Sequence, residues 1–409
     1  MTWLVVALGL ALLILLHELG HFSVALLVGI KPRSFYIGFP PALVKTRRKG
    51  IEYGVGTIPL GGYVRIPGMH RPASRDFAAF MSTALHEDPG LAAPVQRIRR
   101  RLDEDDFDGA REGVPDLRGA LDSARLSPGG RRSAERAFRD VDEGTGSDAY
   151  WRQPTWKRVA VIAAGPLMNV LVAFVIFFAV YATGAPSATP STEVGAVEAN
   201  TPAAAAGLHA GDRVVAVNGR PARTFDRVSH LIRASHGAPI TLTVRRDGGT
   251  VTLGPRRTIE VQGRWIWGFV PAAELVSHSA GASARLAIGD CWQVVTGTLS
   301  AFGGLYRAHE RAQLSSPVGI VRYSAAALRI GIQWYLQLLG LISMSLALFN
   351  LLPLLPLDGG HILFSLVEAV RRRSVPREVY ERVSVFGMML ILLVAVIAFS
   401  NDLGGGPPR

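Results

Sequence analysis

Residues 3–30 read WLVVALGLALLILLHELGHFSVALLVGI, and this stretch decides the class of fold. It is longer than the roughly 20 apolar residues that cross a bilayer as an α-helix. No basic segment precedes it and it has no small-residue cleavage site, so it differs from a removable signal peptide. The sequence therefore predicts a retained transmembrane helix over residues 1–30.

Three ionisable side chains interrupt this apolar stretch, at His17, Glu18 and His21. On a helix of 3.6 residues per turn, His21 lies about 40° around from His17 and Glu18 about 100°, so one sector holds all three. In an HExxH pattern the imidazoles bind zinc and the carboxylate accepts a proton from an acidified water. The alternative is two histidines packed on a helix face without a metal. Ionisable groups inside a span cost about 3 kcal/mol each and mark functional sites, which favours the hydrolytic zinc site.

The composition indicates an integral membrane protein. The chain has 409 residues, of which 49% are hydrophobic, and its mean hydropathy is +0.25. The apolar residues are concentrated in four blocks that span or nearly span a bilayer, at 3–30, 159–183, 330–352 and 383–400. We predict a polytopic α-helical fold with about four transmembrane helices.

Basic residues near the ends of these blocks predict the orientation of the chain, since cytoplasmic loops are enriched in lysine and arginine. They follow the first block, precede the second and separate the third from the fourth: Lys31, Arg33, Lys45, Arg47, Arg48, Lys49, Arg152, Lys157, Arg158, Arg371, Arg372, Arg373, Arg377 and Arg382. The loops that carry them are therefore expected in the cytoplasm. Residues 184–329 and both termini are expected outside. This topology predicts a multi-pass membrane protein with its active site toward the cytoplasmic side.

The formal net charge of +12 indicates contact with anionic lipid rather than with nucleic acid. Cys291 is the single cysteine, so no disulfide can form within the chain, and a catalytic thiol is not expected.

A zinc site with two histidines needs a third protein ligand, and Asp358 is the candidate. It follows the segment Asn350-Leu-Leu-Pro-Leu-Leu-Pro356-Leu, in which two prolines break the helix, and precedes two glycines. Irregular backbone of this kind at membrane depth lines ion sites rather than facing lipid. The alternative is that Asp358 caps a helix starting at His361.

Several motifs in this order resemble the site-2 intramembrane metalloproteases. They are the HExxH pattern, Gly61-Gly62-Tyr63-Val64, Gly165-Pro166-Leu167-Met168-Asn169, Ser316-Pro317-Val318-Gly319-Ile320 (the family has glycine at the first position) and Leu357-Asp358-Gly359. The resemblance covers residues 1–70, 155–270 and 315–370.

The resemblance implies a zinc-dependent endopeptidase that cuts transmembrane segments, with one zinc ion held by His17, His21 and Asp358, and with Glu18 as general base. It also implies substrate-binding roles for four residues: Asn350, Gly61, Gly62 and Asn169. Gly61-Gly62 has the alternative reading of an ordinary tight turn, and Asn169 that of a bond to a neighbouring helix. The implied substrates are single-span membrane proteins already shortened by another protease, such as anti-sigma factors or remnant signal peptides.

Residues 185–271 resemble a PDZ domain. Short strand patterns surround Gly211-Asp212-Arg213-Val214 and Val217-Asn218-Gly219, and a helix is expected near residues 225–234. PDZ domains bind peptides by adding a strand to a sheet edge, so a peptide ligand is expected. The alternative is a lid that only excludes large substrates.

An insertion between Arg71 and Tyr150 is the main departure from the family. It is expected to alternate between helix and disorder, with helices near 77–85 and 134–141 and breaks at 128–130 and 143–146. Its mixed charge favours a solvated surface over a regulatory or lipid-facing role.

The predicted organisation is as follows: first transmembrane helix, 1–30; cytoplasmic β-loop region, 31–70; cytoplasmic insertion, 71–155; second transmembrane helix, 156–184; extracytoplasmic PDZ domain, 185–271; extracytoplasmic or membrane-adjacent segment, 272–329; third transmembrane helix with the LDG motif, 330–370; basic cytoplasmic loop, 371–382; fourth transmembrane helix and tail, 383–409.

Two other functions are alternatives to proteolysis. A catalytically inactive scaffold would present partners through its PDZ domain, and a zinc transporter would need polar residues along a path through several spans.

Overall fold

A computed structural model describes residues 2–261, 263–304 and 316–404. The predicted segments 272–329 and 383–409 therefore lie partly outside the described residues, at 305–315 and 405–409. The chain forms two compact units. The first comprises Met1–Ile176, Ile288–Ile330 and Gln337–Arg409, and the second comprises Phe177–Ala287 and Gly331–Leu336.

The described helices are α1 Thr2–Leu27, α2 Ser74–Glu87, α3 Ala92–Asp103, α4 Phe107–Glu112, α5 Val114–Ser123, α6 Pro128–Thr145, α7 Thr155–Thr183, α8 Pro202–Ala205, α9 Phe225–Arg233, α10 Ala280–Gly304, α11 Pro317–Ile330, α12 Ile332–Asn350, α13 Asp358–Arg371 and α14 Arg377–Gly404. The strands are β1 Ser34–Arg48, β2 Ile51–Arg65, β3 Ala185–Val197, β4 Arg213–Val217, β5 Arg220–Pro221, β6 Pro239–Arg246, β7 Gly249–Arg257, β8 Ile259–Val261, β9 Arg264–Ile266 and β10 Phe269–Val276.

Four helices in the described part of the chain are long and apolar enough to cross a membrane. They are α1, α7, α12 and the segment Glu378–Ser400 of α14. At 1.5 Å per residue, α1 is about 39 Å long, which exceeds the roughly 30 Å of a hydrocarbon core. The prediction of a mostly helical protein is confirmed, with four helices that are long and apolar enough to span a membrane.

Strands β1 and β2 form a small antiparallel sheet in the first unit. The chain reverses at Lys49 and Gly50, whose φ angles of 51° and 82° are typical of a two-residue hairpin turn. Because residues 34–37 pair with both 52–55 and 62–65, the sheet has four short segments in the order 44–48, 51–56, 34–37 and 62–65. Residues 62–65 therefore form an edge of this sheet.

The insertion is a folded helical domain, which differs from the expected alternation of helix and disorder. Helices α2 to α6 enclose an apolar core of sixteen buried side chains: Phe77, Met81, Ala84, Leu91, Val95, Ile98, Leu102, Phe107, Ala110, Val114, Leu117, Leu121, Ala124, Ala134, Ala137 and Val141. Its arginines and acids lie on the outside, where exposed pairs such as Arg97 with Asp116 contribute little stability. The burial of this core explains why the segment folds despite its mixed charge.

The break predicted at residues 128–130 is a helix start. Ser127 precedes α6 and its Oγ accepts a hydrogen bond from the backbone N–H of Gly130 at 3.0 Å. Pro128 occupies the first helical position, where its fixed φ angle is favourable and its missing N–H has no cost. The helix then ends at Thr145, beside the second predicted break.

Two ion pairs join the end of the insertion to the β1–β2 sheet. Arg33 binds both carboxylate oxygens of Asp148, at 2.8 and 3.1 Å, and Arg65 lies 3.1 Å from Glu143. A bidentate arginine pair fixes orientation as well as distance. The insertion is therefore attached to the sheet that carries Gly61 and Gly62.

The second unit contains a six-stranded sheet in the order β10-β3-β4-β6-β7, with β5 paired to β4. Helix α9 packs on this sheet through its buried side chains Val228, Leu231 and Ile232. The core also contains Trp267, which is fully buried. The expected short strands and the helix near 225–234 are thus present.

Asp212 forms the main buried ion pair of this sheet module, residues 185–276. Its side chain is 2% exposed, and it accepts hydrogen bonds of 2.6 Å from Nε and from Nη2 of Arg246. These hydrogen bonds hold the pKa of Asp212 below its ordinary value of 3.8. The pair therefore stabilises the module fully above that value, and its contribution is lost as the pH falls through the lower folded-state pKa.

We expect Asp212→Asn to lower the thermal midpoint of the module at pH 7, because it leaves Arg246 without its charged partner. The difference from wild type should shrink below about pH 4, where unfolded Asp212 is protonated. Thermal unfolding of the segment 185–276, followed by circular dichroism at pH 7 and pH 3, measures both effects. Glu193→Gln, which removes an exposed partner of Arg213, is the control. A pH-independent difference would contradict this account of the ion pair.

Candidate metal centre

Helix α1 carries the three HExxH side chains in a packed environment. His17 and His21 are each 7% exposed, and Gly20, between them, faces the backbone of Ala164 on α7. Gly165 on α7 faces the His21 ring so closely that a Cβ atom there would overlap Nε2. Small residues let two membrane helices approach at backbone distance. This approach buries the histidine pair between α1 and α7.

Asp358 lies beside both histidines. Its Oδ2 atom is 3.2 Å from His17 Nε2 and 3.4 Å from His21 Nε2. Helix α13 begins at Asp358 itself, three residues earlier than the alternative reading assumed, and no side-chain cap is present at its start. The carboxylate therefore faces the histidines and does not cap a helix.

The three candidate ligand atoms fit a zinc ion. With His17 Nε2 and His21 Nε2 3.2 Å apart, they form a nearly equilateral triangle. Zinc binds imidazole nitrogen and carboxylate oxygen at about 2.0–2.1 Å, which in a tetrahedron separates neighbouring ligands by about 3.3–3.4 Å. Asp358 Oδ2 is also buried without a hydrogen-bond partner among the described residues. The triangle thus supplies three of four tetrahedral positions.

A hydrogen bond fixes the orientation of the His21 ring. Its Nδ1 lies 2.8 Å from the carbonyl oxygen of Val161 on α7, so Nδ1–H donates and Nε2 keeps its lone pair. Metal-binding histidines commonly use the second ring nitrogen in this way. Val161 was not among the predicted site residues. Pro166 removes the helical partner of the Ile162 carbonyl and not that of Val161, so no local signal marks this contact.

Asn169 contacts His17. Its side chain is fully buried, and the amide Nδ2 lies 3.2 Å from His17 Nδ1, while Oδ1 has no hydrogen-bond partner among the described residues. Ser343 on α12 donates to the backbone carbonyl of Asn169 at 2.9 Å. Asn169, one of the predicted substrate-binding residues, is therefore fully buried beside a candidate metal ligand.

Glu18 lines a cavity of about 290 Å³ together with the three candidate ligands. Tyr63 and Val64 of the sheet edge, Asn350 at the end of α12, and His361 on α13 also line it. Asn350 and Asp358 are separated by seven residues of irregular backbone between two helices, as their spacing predicted. The cavity brings a carboxylate, the candidate metal ligands and a strand edge together.

Gly61 and Gly62 lie within β2 and not in a tight turn. Gly61 has φ +119°, a conformation that side chains disfavour. A Cβ atom on Gly62 would lie 2.7 Å from the Tyr36 carbonyl oxygen and 3.3 Å from Glu18 Cγ. The two glycines thus let the sheet edge reach the HExxH face of α1.

A metal-binding triangle with an adjacent carboxylate, set among membrane-spanning helices, defines a class of protein: the membrane-embedded metallohydrolases.

Comparison with known proteins identifies the family within that class. The profile of peptidase family M50 matches residues 5–394, so the chain belongs to this family, the site-2 proteases. A putative zinc metalloprotease of Mesorhizobium japonicum is 30% identical over 415 residues, which cover 97% of this chain and 96% of the relative. The zinc metalloprotease RasP of Geobacillus kaustophilus is 30% identical over 96% of this chain and 95% of its own length. The probable protease eep of Enterococcus faecalis is 25% identical, with 96% of each chain covered. The chain is therefore a zinc metalloendopeptidase and a membrane protein.

Proposed function

We propose that the chain cleaves peptide bonds within or beside the transmembrane segment of single-span membrane proteins, using one zinc ion. The observation that carries this proposal is the cavity in which His17, His21 and Asp358 lie next to Glu18. The two histidines belong to a membrane-spanning helix. A scissile carbonyl must therefore reach the site from within the bilayer region, which a soluble protein segment does not readily do.

Different residues of the cavity are proposed to carry out different parts of the hydrolysis. Zinc, when bound by His17, His21 and Asp358, acidifies a water molecule and stabilises the negative charge that develops on the scissile carbonyl oxygen. Glu18 takes a proton from that water as the oxygen attacks the carbonyl carbon, and the carboxylic acid then gives the proton to the leaving amine nitrogen. The carbon–nitrogen bond breaks to give a free amine and a carboxylic acid, which releases its proton to solvent, and Glu18 returns to its ionised form.

The edge segment 62–65 is the proposed docking site for the substrate backbone. A transmembrane helix satisfies its own amide groups, so it must unwind before a carbonyl becomes accessible. An unwound segment needs new hydrogen-bond partners, and a strand edge can provide them. Residues 62–65 pair with 34–37, and Tyr63 and Val64 line the cavity that contains Glu18, which supports docking of an extended substrate beside this carboxylate. Asn350, at the rim of the same cavity, is proposed to bind the extended substrate as well.

Asn169 is proposed to orient a metal ligand instead of binding substrate. An amide turned through 180° exchanges Oδ1 and Nδ2, and the assignment is decided by the hydrogen-bond network. After this exchange Oδ1 lies about where Nδ2 was, 3.2 Å from His17 Nδ1. It can then accept a hydrogen bond from the Nδ1–H group of His17, which satisfies the otherwise unpartnered oxygen. His17 Nε2 then keeps its lone pair for zinc.

Asn169→Leu is expected to weaken zinc binding by about 10–100-fold, the usual loss when the partner of a metal-bound histidine is removed. Competition with a chelator, read out as zinc content of the purified full chain, measures this change. Asn169→Asp keeps an acceptor for Nδ1–H and should retain most of the affinity. Ser343→Ala, which alters a contact to the backbone of Asn169, is the control. Wild-type zinc affinity in Asn169→Leu would rule out the orienting role.

The sheet module is proposed to be a PDZ domain that binds a peptide segment of the substrate. A cavity of about 280 Å³ lies between α9 and strands β9 and β10, lined by Phe225, Ser229 and Trp265 among others. A groove between a helix and a strand is where PDZ domains accept an added strand. This groove supports peptide binding over a role as a lid.

The proposed location is a bacterial-type plasma membrane, with the active site toward the cytoplasm and the PDZ domain outside. Support comes from the arginines at the ends of α7 and α13, since such residues concentrate on the cytoplasmic side. Among the described residues, His17, His21 and Asp358 form the one cluster with metal-binding geometry, whereas zinc transport would need several sites along a path.

The function is tested by incubating the purified full chain in liposomes with a tagged single-span membrane protein and sequencing the products. The expected result is zinc-dependent cleavage inside or next to the span of the substrate. Cleavage confined to soluble loops would contradict an intramembrane site. Bound zinc and bound substrate without cleavage, across a panel of shortened substrates, would favour the inactive scaffold.

A further inference from the structure

A second cavity, of about 260 Å³, lies in the first unit where several helix ends meet. It is bordered by Thr155 at the start of α7, by Arg372 just after α13, and by Tyr380 in the first turn of the fourth span. The ends of transmembrane helices lie at the level of the lipid headgroups, where tryptophan and tyrosine are enriched. Trp151 and Tyr150 line this cavity.

The lining of this cavity has an excess of positive charge. Four arginines face one glutamate: Arg71, Arg158, Arg372 and Arg373 against Glu368. Glu368 is already paired with Arg158 at 2.6 Å, and the Arg71 guanidinium packs over the Trp151 ring at 4.6 Å. Within the part of the chain that the structure describes, Arg372 and Arg373 have no acidic partner. The cavity thus has cationic groups available for an anion.

Arg158 pairs with the one acidic residue of this lining. Its side chain is 9% exposed, and Nη1 and Nη2 bind Glu368 and the carbonyl oxygen of Ser365. Its Nε–H has no acceptor among the described residues, although it is buried. Because both of its η nitrogens are engaged, Arg158 neutralises Glu368 and leaves the lining with a net positive charge. The nearby start of α7 at Thr155 also favours a negative charge.

We propose that this cavity binds the phosphate group of an anionic phospholipid. The recognised chemistry is a phosphate oxygen anion, which a lipid headgroup and free phosphate share. The position at the ends of two membrane spans favours the lipid, since basic pockets between spanning helices bind anionic headgroups. This site is separate from the metal centre and does not depend on the proposed proteolytic function.

The chain offers a matched pair of substitutions for the test. Arg373 lines the cavity, whereas Arg371, two residues earlier and also exposed, does not. Arg373→Gln and Arg371→Gln therefore each remove one positive charge near the C-terminal end of α13. The probes are phosphatidylglycerol, phosphatidylcholine and inorganic phosphate, added to the purified full chain in a neutral detergent. Native mass spectrometry counts retained lipid at each concentration, and calorimetric titration follows phosphate.

We expect phosphatidylglycerol to bind in preference to phosphatidylcholine, and Arg373→Gln to weaken it about fivefold while Arg371→Gln leaves it unchanged. Binding of inorganic phosphate with the same dependence on Arg373, and displacement of the lipid by it, would keep the phosphate site but assign it to free phosphate. Equal lipid binding by all three proteins together with no phosphate binding would overturn the proposal. An equal loss in both variants would do the same, because it would reflect only the charge of the loop.

Discussion

Replacement of Glu18 by glutamine is expected to lower the cleavage rate by about 10²–10⁴-fold, the usual contribution of a general base. The amide has nearly the shape of the carboxylate but cannot take a proton from water at neutral pH. His17, His21 and Asp358 are unchanged, so zinc should stay bound at the wild-type ratio. The measurement is single-turnover cleavage of the tagged single-span substrate, with metal content determined on the same protein.

Glu378→Gln is the matched control for this substitution. The Glu378→Gln variant has the same chemical change at an exposed position, where Glu378 lies 3.6 Å from its partner Arg75. This variant should cleave the substrate at the wild-type rate. Near-normal cleavage by Glu18→Gln would remove Glu18 from the role of base. Loss of zinc along with activity would make it a structural part of the centre instead.

Asp358→Ala is expected to weaken zinc binding by more than about 100-fold and to abolish cleavage. Loss of a residue that only orients a ligand costs about 10–100-fold, so loss of a ligand should cost more. Two histidines alone leave a zinc site with too few protein ligands. Zinc affinity is measured by chelator competition on the full chain, and cleavage is measured at saturating zinc.

Asp358→Asn distinguishes two contributions of this residue to zinc affinity, its negative charge and its ligand oxygen. It keeps a possible oxygen ligand but removes the negative charge, so its zinc affinity should fall between wild type and Asp358→Ala. Full retention of zinc by Asp358→Ala would assign Asp358 a structural role at the start of α13. A similar thermal midpoint in both variants would ensure that the comparison concerns metal binding rather than folding.

The cluster of candidate ligands was largely predictable because the residues that form it follow local rules. His17, Glu18 and His21 are fixed on one face of a helix by the helical repeat, and the four spans follow from apolar length. Asp358 was found because two prolines and two glycines interrupt an apolar region beside a carboxylate. In each case a short stretch of sequence is enough to predict where the side chains or the helix lie.

Other features were not predictable because they depend on contacts between distant segments. Helices near 77–85 and 134–141 were expected in the insertion, but the closing of one core by these two helices with α3, α4 and α5 depends on contacts along the whole insertion. The position of Asn169 behind His17 depends on how α7 packs against α1, over a separation of 152 residues. No local pattern distinguishes such an amide from one that binds substrate or a neighbouring helix.

The close approach of Gly165 to His21 affects how related genomes are surveyed for working enzymes. An alanine at this position would place a methyl group where the imidazole lies, and the ring would have to turn away from the zinc site. The four residues by which an active member is recognised would still be present, namely His17, Glu18, His21 and Asp358. A survey that counts HExxH and LDG motifs alone would then classify a pseudoenzyme as active, whereas the residue before Pro166 would reveal the difference.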